Sequence, residues 1–426
     1  MPDGTATAHL YRPKLATTFA EGYRVANLRR DATAGLTVAI VALPLSMAIA
    51  VASGVSPDRG LYTAIVGGFV VSALGGSRFQ IGGPAGAFIV LVSATVAKFG
   101  VSGLLLAVLM SGVLMSLLGA LRLGSLIRHI PHAVTVGFTA AIGVTIAASQ
   151  LKDLAGLHLQ GAEPGPTLPK LAALAAAAPG FNPWALAVGL GVAGAIFVVA
   201  RWRPRWPAML LAVAAAAGVV AVLRLPVDTV ASRFGGVPHG LPAPSLPPIT
   251  LALALAVLPS ALSFTLLGGI ESLLSAKVAD GMTGRRHRSN MELVAQGLAN
   301  VASALFGGIC VTGTIARTAT NIRAGATSPV AGLMHSAFLL AFMVVAAPLA
   351  GYVPLAALAG VLVVVAWNMA EKGEFARLLR NWPTAAVLLA TFGLTVARDL
   401  TTGIVAGCVV AAVLALLRRP TPEEGA

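Results

Sequence analysis

Runs of apolar residues constrain this chain more than any other feature. Ala32–Ser53, Leu104–Ala120, Trp184–Ala200, Gly332–Ala350 and Ala385–Ala397 approach or reach the roughly 20 apolar residues that a helix needs to cross a hydrocarbon core. With 57% hydrophobic and 10% charged residues, and a mean hydropathy of +0.87, a water-soluble domain is excluded. Hydropathy and Gly/Pro breakers divide the chain into 14 apolar elements, near 32–53, 59–75, 84–98, 101–121, 132–150, 184–200, 207–223, 252–277, 291–306, 313–322, 327–349, 354–370, 384–397 and 400–417. The expectation is an all-α polytopic membrane protein with 14 transmembrane segments.

The charges give the orientation. A cytoplasmic N-terminus puts 20 Lys/Arg residues in inside segments and seven outside (Arg59, Lys98, Lys152, Lys170, Arg224, Arg233, Arg398), as the positive-inside rule requires. The inside set includes Arg128, the cluster RWRPR at 201–205, RRHR at 285–288, and Arg418 and Arg419. The excess of 29 basic over 15 acidic residues therefore needs no nucleic-acid partner. The first 30 residues are polar and lack the apolar stretch and cleavage site of a signal peptide. The expected location is the inner (plasma) membrane with both termini cytoplasmic. Cys310 and Cys408 are 98 residues apart in apolar segments, a spacing that suits neither a metal nor a disulfide. His129 and His132 fall in a basic loop and read as solvated.

Two Pro/Gly-rich connections, 151–183 and 224–250, lie outside, and the second comes after seven spans with seven to follow. An odd number of spans per half makes the halves inverted repeats. The boundaries read as a cytoplasmic segment 1–30, a first repeat 31–223, an extracellular linker 224–250, a second repeat 251–418 and a cytoplasmic stub 419–426.

In each half the third element is short and broken. SRFQIGGPAGAFIVLVSATVAKFG places Gly82, Gly83 and Pro84 before about 15 helix-forming residues, and FGGICVTGTIARTATNIRAG places Gly307, Gly308 and Gly313 before fewer still. Such matched interruptions point to a binding site at the membrane midplane. A half-helix that starts there leaves its first N–H groups without intrahelical partners and presents a partial positive charge. The two starts, Ala85–Gly86–Ala87 and Thr314–Ile315–Ala316, favour an anion. Arg317 adds a full charge and a planar fork suited to carboxylate, sulfate or bicarbonate oxygens. The alternative is that Arg317 neutralises a buried acid. Glu271, in SFTLLGGIESLLSAKVAD, is the one carboxylate that hydropathy places well inside a span; it reads either as a structural partner or as an ion-coupling group, carrying a proton or, with Thr265 or Ser275, holding sodium. Gln296 and Asn300, four apart on one helical face, read as interhelical hydrogen-bonding groups.

These stretches also carry a resemblance. LPLSMAIAVASGVSPDRGLYTAIVGG (43–68), GGSRFQIGGPAGAF (75–88), the block from Glu271 to His335 and PLAALAGVLVVVAWNM (354–369) resemble the sulfate permease (SulP) family of anion transporters, which includes sulfate, bicarbonate, chloride and dicarboxylate carriers and the animal motor protein prestin. The resemblance implies a core domain of spans 1–4 and 8–11, a gate domain of spans 5–7 and 12–14, and a homodimer. Carried over by position, it lines the substrate cavity with Leu45 and Ile49 from span 1, Ala85 from span 3, Glu271 from span 8 and Thr314, Ile315, Ala316 and Arg317 from span 10. Family members often have Gln or an aromatic residue where this chain has Leu45, Ile49 and Ala85. They also commonly continue into a STAS domain, where here RRPTPEEGA follows Leu417.

The expected function is secondary active transport of a small anion, an oxyanion or dicarboxylate such as sulfate, bicarbonate or fumarate, in symport with a proton or sodium, by movement of core against gate. An anion channel or uncoupled exchanger is one alternative, and a nucleobase-type cation symporter of the same fold is another, which an arginine facing the site disfavours. No cofactor or resident metal is expected. An enzyme is not expected either, since the sequence holds no nucleophile–base pair and no metal-ligand spacing.

Overall fold

The structure, a computed structural model, describes residues 11–124, 131–159, 167–204, 206–398 and 400–417. Arg128, His129, Arg205, Arg418, Arg419, part of the 151–183 connection and the stub 419–426 lie outside the described residues.

All 14 apolar elements are helical. Span 1 is Val25–Ala52, span 2 covers 57–74 through a π-helical turn at Thr63–Gly67, and span 3 begins at Gly86. Gly100, with φ +69°, breaks the helix in a conformation that costs glycine little, and span 4 continues from there to Ala120. Spans 5, 6 and 7 are His132–Leu154, Pro183–Trp202 and Ala208–Leu223. The second half holds span 8 (Leu251–Thr283), 9 (Ser289–Leu305), 10 (Ile315–Arg323), 11 (Val330–Ala350), 12 (Leu355–Met369), 13 (Trp382–Ala397) and 14 (Leu400–Leu417). Among the described residues seven helices are individually long and apolar enough to cross a membrane. The shorter ones complete the two inverted sets of seven.

Packing separates the spans into two groups. Span 9 lies along span 4, span 11 along span 1, and span 8 along span 4, which forms the core; spans 5, 6 and 12 pack together, as do 13, 14 and 5, which forms the gate. Span 1 is the core element against which gate spans 7 and 12 lie. Small residues bring these helices close, since apolar side chains gain little by leaving lipid for protein. A Cβ at Gly112 of span 4 would come 2.6 Å from Gly297 O of span 9, and one at Gly360 of span 12 would come 2.3 Å from Gly189 O of span 6.

Span 1 starts seven residues before its apolar stretch. Hydropathy stops at Asp31 because it sees a charge, yet this carboxylate is fully buried. It accepts from Tyr23 Oη at 2.9 Å and from Thr327 N and Oγ1 at 2.6 and 3.0 Å, as well as from Ser328, so it ties span 1 to the turn that opens span 11. A short helix, Lys14–Ala20, crosses the same end of the core. Arg288 donates to Arg12 O at 2.5 Å and Thr17 Oγ1 at 2.9 Å, and Arg78 pairs with Glu21. The Arg78 guanidinium holds the Glu21 carboxyl below its usual range. The RRHR stretch thus does more than line a loop: its last arginine anchors the N-terminal helix.

Candidate functional site

Two extended segments cross at the centre of the core. Gly82–Gly83 (β1) and Thr312–Gly313 (β2) pair antiparallel, Gly82 opposite Gly313 and Gly83 opposite Thr312. Each leads directly into a half-helix, the first through Ala85 and the second through Thr314.

Extended backbone at membrane depth survives only where its polar groups find partners in the protein. Asn300 of span 9 grips Val311 from both sides, its Nδ2 donating to Val311 O and its Oδ1 accepting from Val311 N, both at 2.9 Å. Asn321 donates to Phe79 O at 2.9 Å, Ile81 N donates to Thr318 Oγ1 at 3.2 Å, and Thr314 N donates to Ile81 O at 3.2 Å. Span 8 contributes Ser272, bonded to Thr312 Oγ1 at 2.8 Å and to Gly313 N at 3.2 Å, and Ser275, bonded to Thr318 Oγ1 at 3.2 Å. Asn300 thus bonds across elements, though to extended backbone rather than to a helix, while the Gln296 amide bonds within its own helix to Glu292 at 3.1 Å.

The half-helix starts are uncapped. Neither Ala85 nor Thr314 makes a side-chain cap bond. In span 10 the first intrahelical donor is Thr318 N, bonded to Thr314 O, so the N–H groups of Ile315, Ala316 and Arg317 lie ahead of it. Thr314 carries the residue type that ordinarily caps a helix, but its buried Oγ1 has no protein partner. Arg317 is 2% exposed. Its Nη2 donates to Pro84 O, joining span 10 to the start of span 3, while Nε and Nη1 have no protein partner. Gly83 makes this approach possible, because a Cβ there would collide with Nη1. Buried donors are nearly always satisfied; Nε and Nη1 of Arg317, in the first turn of span 10, are exceptions.

Glu271 lies within electrostatic reach of Arg317, but the two form no ion pair within 4.0 Å, and the buried Glu271 Oε2 has no hydrogen-bond partner. The reading that Arg317 simply neutralises this acid through a direct bridge therefore lacks its contact. Thr265 Oγ1 is bonded to Ser111 Oγ of span 4 at 3.1 Å, whereas Ser275 Oγ is bonded to Thr318 Oγ1 of span 10. Leu45, Ile49 and Ala85 are buried in one apolar cluster, whereas Ile315, 37% exposed, and Ala316 present accessible surface at the start of span 10.

Other participants escape a reading of the sequence. A Cβ at Gly86 would come 3.0 Å from Ile146 Cδ1 of span 5 and 3.7 Å from Met369 Sδ of span 12, so the gate presents an apolar wall to the start of span 3. Glu271 is also not alone as a deep carboxylate. Asp31 and Glu292 are both fully buried. Glu292 accepts from Ser77 N and Gln80 Nε2 at 2.9 Å and from Gln296, fastening the approach to β1. In the sequence Glu292 is the second residue of the apolar element 291–306, next to the basic 285–288 stretch. What distinguishes Glu271 is that one of its oxygens lacks a hydrogen-bond partner.

Two inverted sets of seven helices, with crossed half-helices and a buried cation in the core facing a gate, define a membrane transporter rather than an enzyme. Residues 28–391 match the model of the Sulfate permease family. The chain belongs to that family. It is 42% identical over 402 residues to a putative sulfate transporter of Bacillus subtilis, covering 93% of this chain and 75% of the relative. Among solved structures, the transmembrane domain of a cyanobacterial bicarbonate transporter is 31% identical with a TM-score of 0.81, covering 89% of this chain and 98% of that one. The murine Slc26a9 anion transporter, 18% identical with a TM-score of 0.88 over 99% of this chain and 73% of its own, shares the fold.

Proposed function

We propose that this protein is a secondary active transporter of a small polyatomic anion, working as a homodimer by moving core against gate, with both termini on the cytoplasmic side of the plasma membrane. The observation that carries the substrate class is Arg317: a buried guanidinium with two donors lacking protein partners, beside two uncapped half-helix starts. The substrate oxygens are held by Arg317, by Thr314 Oγ1 and by the first N–H groups at Gly86, Ile315 and Ala316. Leu45, Ile49 and Ala85 form the apolar wall. Relatives named for sulfate and bicarbonate support an oxyanion, and C4 dicarboxylates belong in the same panel. Uptake of sulfate, bicarbonate, chloride and fumarate into liposomes, under imposed proton and sodium gradients, tests the reading. Saturable uptake with counterflow supports a carrier; a non-saturating conductance points to a channel instead.

Glu271 and Ser275 are the proposed coupling pair, with a proton as the favoured ion. Glu271→Gln is expected to retain exchange of labelled substrate but to lose gradient-driven accumulation. If accumulation by Glu271→Gln still follows the proton and sodium gradients as in the parent, coupling resides elsewhere.

The opposite wall sets the size of the ligand. Ala85→Phe is expected to disfavour the longest anions first, with expression and dimerisation unchanged. A parent that carries chloride alone, or a variant that slows every anion in equal proportion, overturns this account of selectivity.

A further inference from the structure

Away from the central site, Arg29 and Arg30 in the early turns of span 1 line a cavity of about 590 Å³ together with Ala26, Thr33, Ala324 and Gly325. The last two residues follow Arg323, which ends span 10, so the cavity lies between the entry to span 1 and the exit of span 10. Both arginines are exposed, and among the described residues neither guanidinium has a hydrogen-bond or ion-pair partner; Thr33 Oγ1 donates back to the Arg29 carbonyl at 2.9 Å. The carboxylate next to them, Asp31, is directed inward to Tyr23, Thr327 and Ser328 and does not compensate them. Span 1 has no acidic residue in its first turn and no side-chain cap, so the positive end of the helix dipole adds to the two cations instead of opposing them.

Every fixed charge at this cavity has one sign. Val25, Leu28 and Leu36, on the same end of span 1, are exposed apolar side chains. Cations at the end of a spanning helix, beside apolar surface, match a headgroup phosphate and its acyl chains. Guanidinium forks also suit the tetrahedral oxygens of phosphate better than a point charge does.

We propose that this cavity is a binding site for a phosphate-bearing anion, held by Arg29 and Arg30 and filled in the membrane by the headgroup of an anionic phospholipid. The site is separate from the transport site and does not depend on its reading.

The test is a titration of the full-length, delipidated protein in detergent with short-chain phosphatidylglycerol, phosphatidylcholine and inorganic phosphate, followed by native mass spectrometry. Phosphatidylglycerol is expected to bind at least tenfold more tightly than phosphatidylcholine, and Arg29→Gln/Arg30→Gln to remove that preference while anion uptake persists. Arg317→Ala serves as background, so that phosphate bound at the central site is not counted. Displacement of phosphatidylglycerol by millimolar inorganic phosphate in that background supports the phosphate chemistry and assigns free anion as a competing source; resistance to it supports the lipid. Arg29→Lys/Arg30→Lys, which keeps the charge, is expected to recover part of the binding, and it stands in if the glutamine pair fails to fold, with a weaker preference than the parent as the required result. Equal binding of the two lipids by the parent, or unchanged binding of both lipid and phosphate in the glutamine pair, overturns the proposal.

Discussion

Arg317→Ala is expected to abolish anion accumulation in a protein that still folds. Nη2 holds Pro84 O, and Nε and Nη1 have no partner in the protein. A hydrogen bond to a charged group contributes about 1.5–3 kcal/mol, and each 1.4 kcal/mol is about tenfold in affinity. Loss of two such contacts to an anion therefore weakens binding by at least about a hundredfold, enough to take uptake below detection. Folding survives because among the described residues Arg317 makes no ion pair within 4.0 Å that the variant would break; the direct defect is an unpaired Pro84 carbonyl at about 1–3 kcal/mol. Arg285→Ala, in the exposed stretch after span 8, is the control and is expected to transport normally. Liposome uptake and size-exclusion profiles of both variants decide the matter. Equal uptake by the two sinks both the ligand and the electrostatic roles of Arg317.

Glu292→Ala is expected to damage the fold itself. The carboxylate is fully buried and receives Ser77 N, Gln80 Nε2 and Gln296 Nε2. Its removal strands three donors, each costing about 1–3 kcal/mol when buried and unpaired. After partial relaxation, a loss of about 3–5 kcal/mol is expected, among the larger effects of single substitutions. It would be read as a marked fall in the thermal midpoint of the detergent-solubilised protein. Glu292→Gln keeps the volume and one acceptor oxygen and should fall between parent and Ala. A parent-like midpoint in Glu292→Ala contradicts the role given to this residue.

The two variants separate what was legible in the sequence from what was not. The half-helices were visible because Gly82, Gly83 and Pro84, and Gly307, Gly308 and Gly313, shorten an apolar run in matching places, and Arg317 stood out as the only charge in its segment. The 14 spans followed from apolar length, and their ends moved where a charge was buried with partners, as at Asp31. The burial of Glu292 was not legible, since a carboxylate at the start of an apolar element and four residues from Arg288 carries no signal of depth. The place of the gate residues Ile146 and Met369 at the start of span 3 was not legible, both being ordinary apolar residues in apolar helices.

The membrane class, the number of spans and the places where the helix must break can be read along the chain, because transfer of side chains into a bilayer and loss of helix at Gly/Pro are local properties that accumulate over a window of residues. The tertiary structure alone decided which polar groups meet. Glu292 receives a backbone donor 215 positions away in the chain, and Arg317 reaches a carbonyl 233 positions away. Partner choice at such separations depends on how helices from the two halves cross, and in a low-dielectric interior that choice separates a carboxylate locked by three donors from one with a free oxygen beside an arginine.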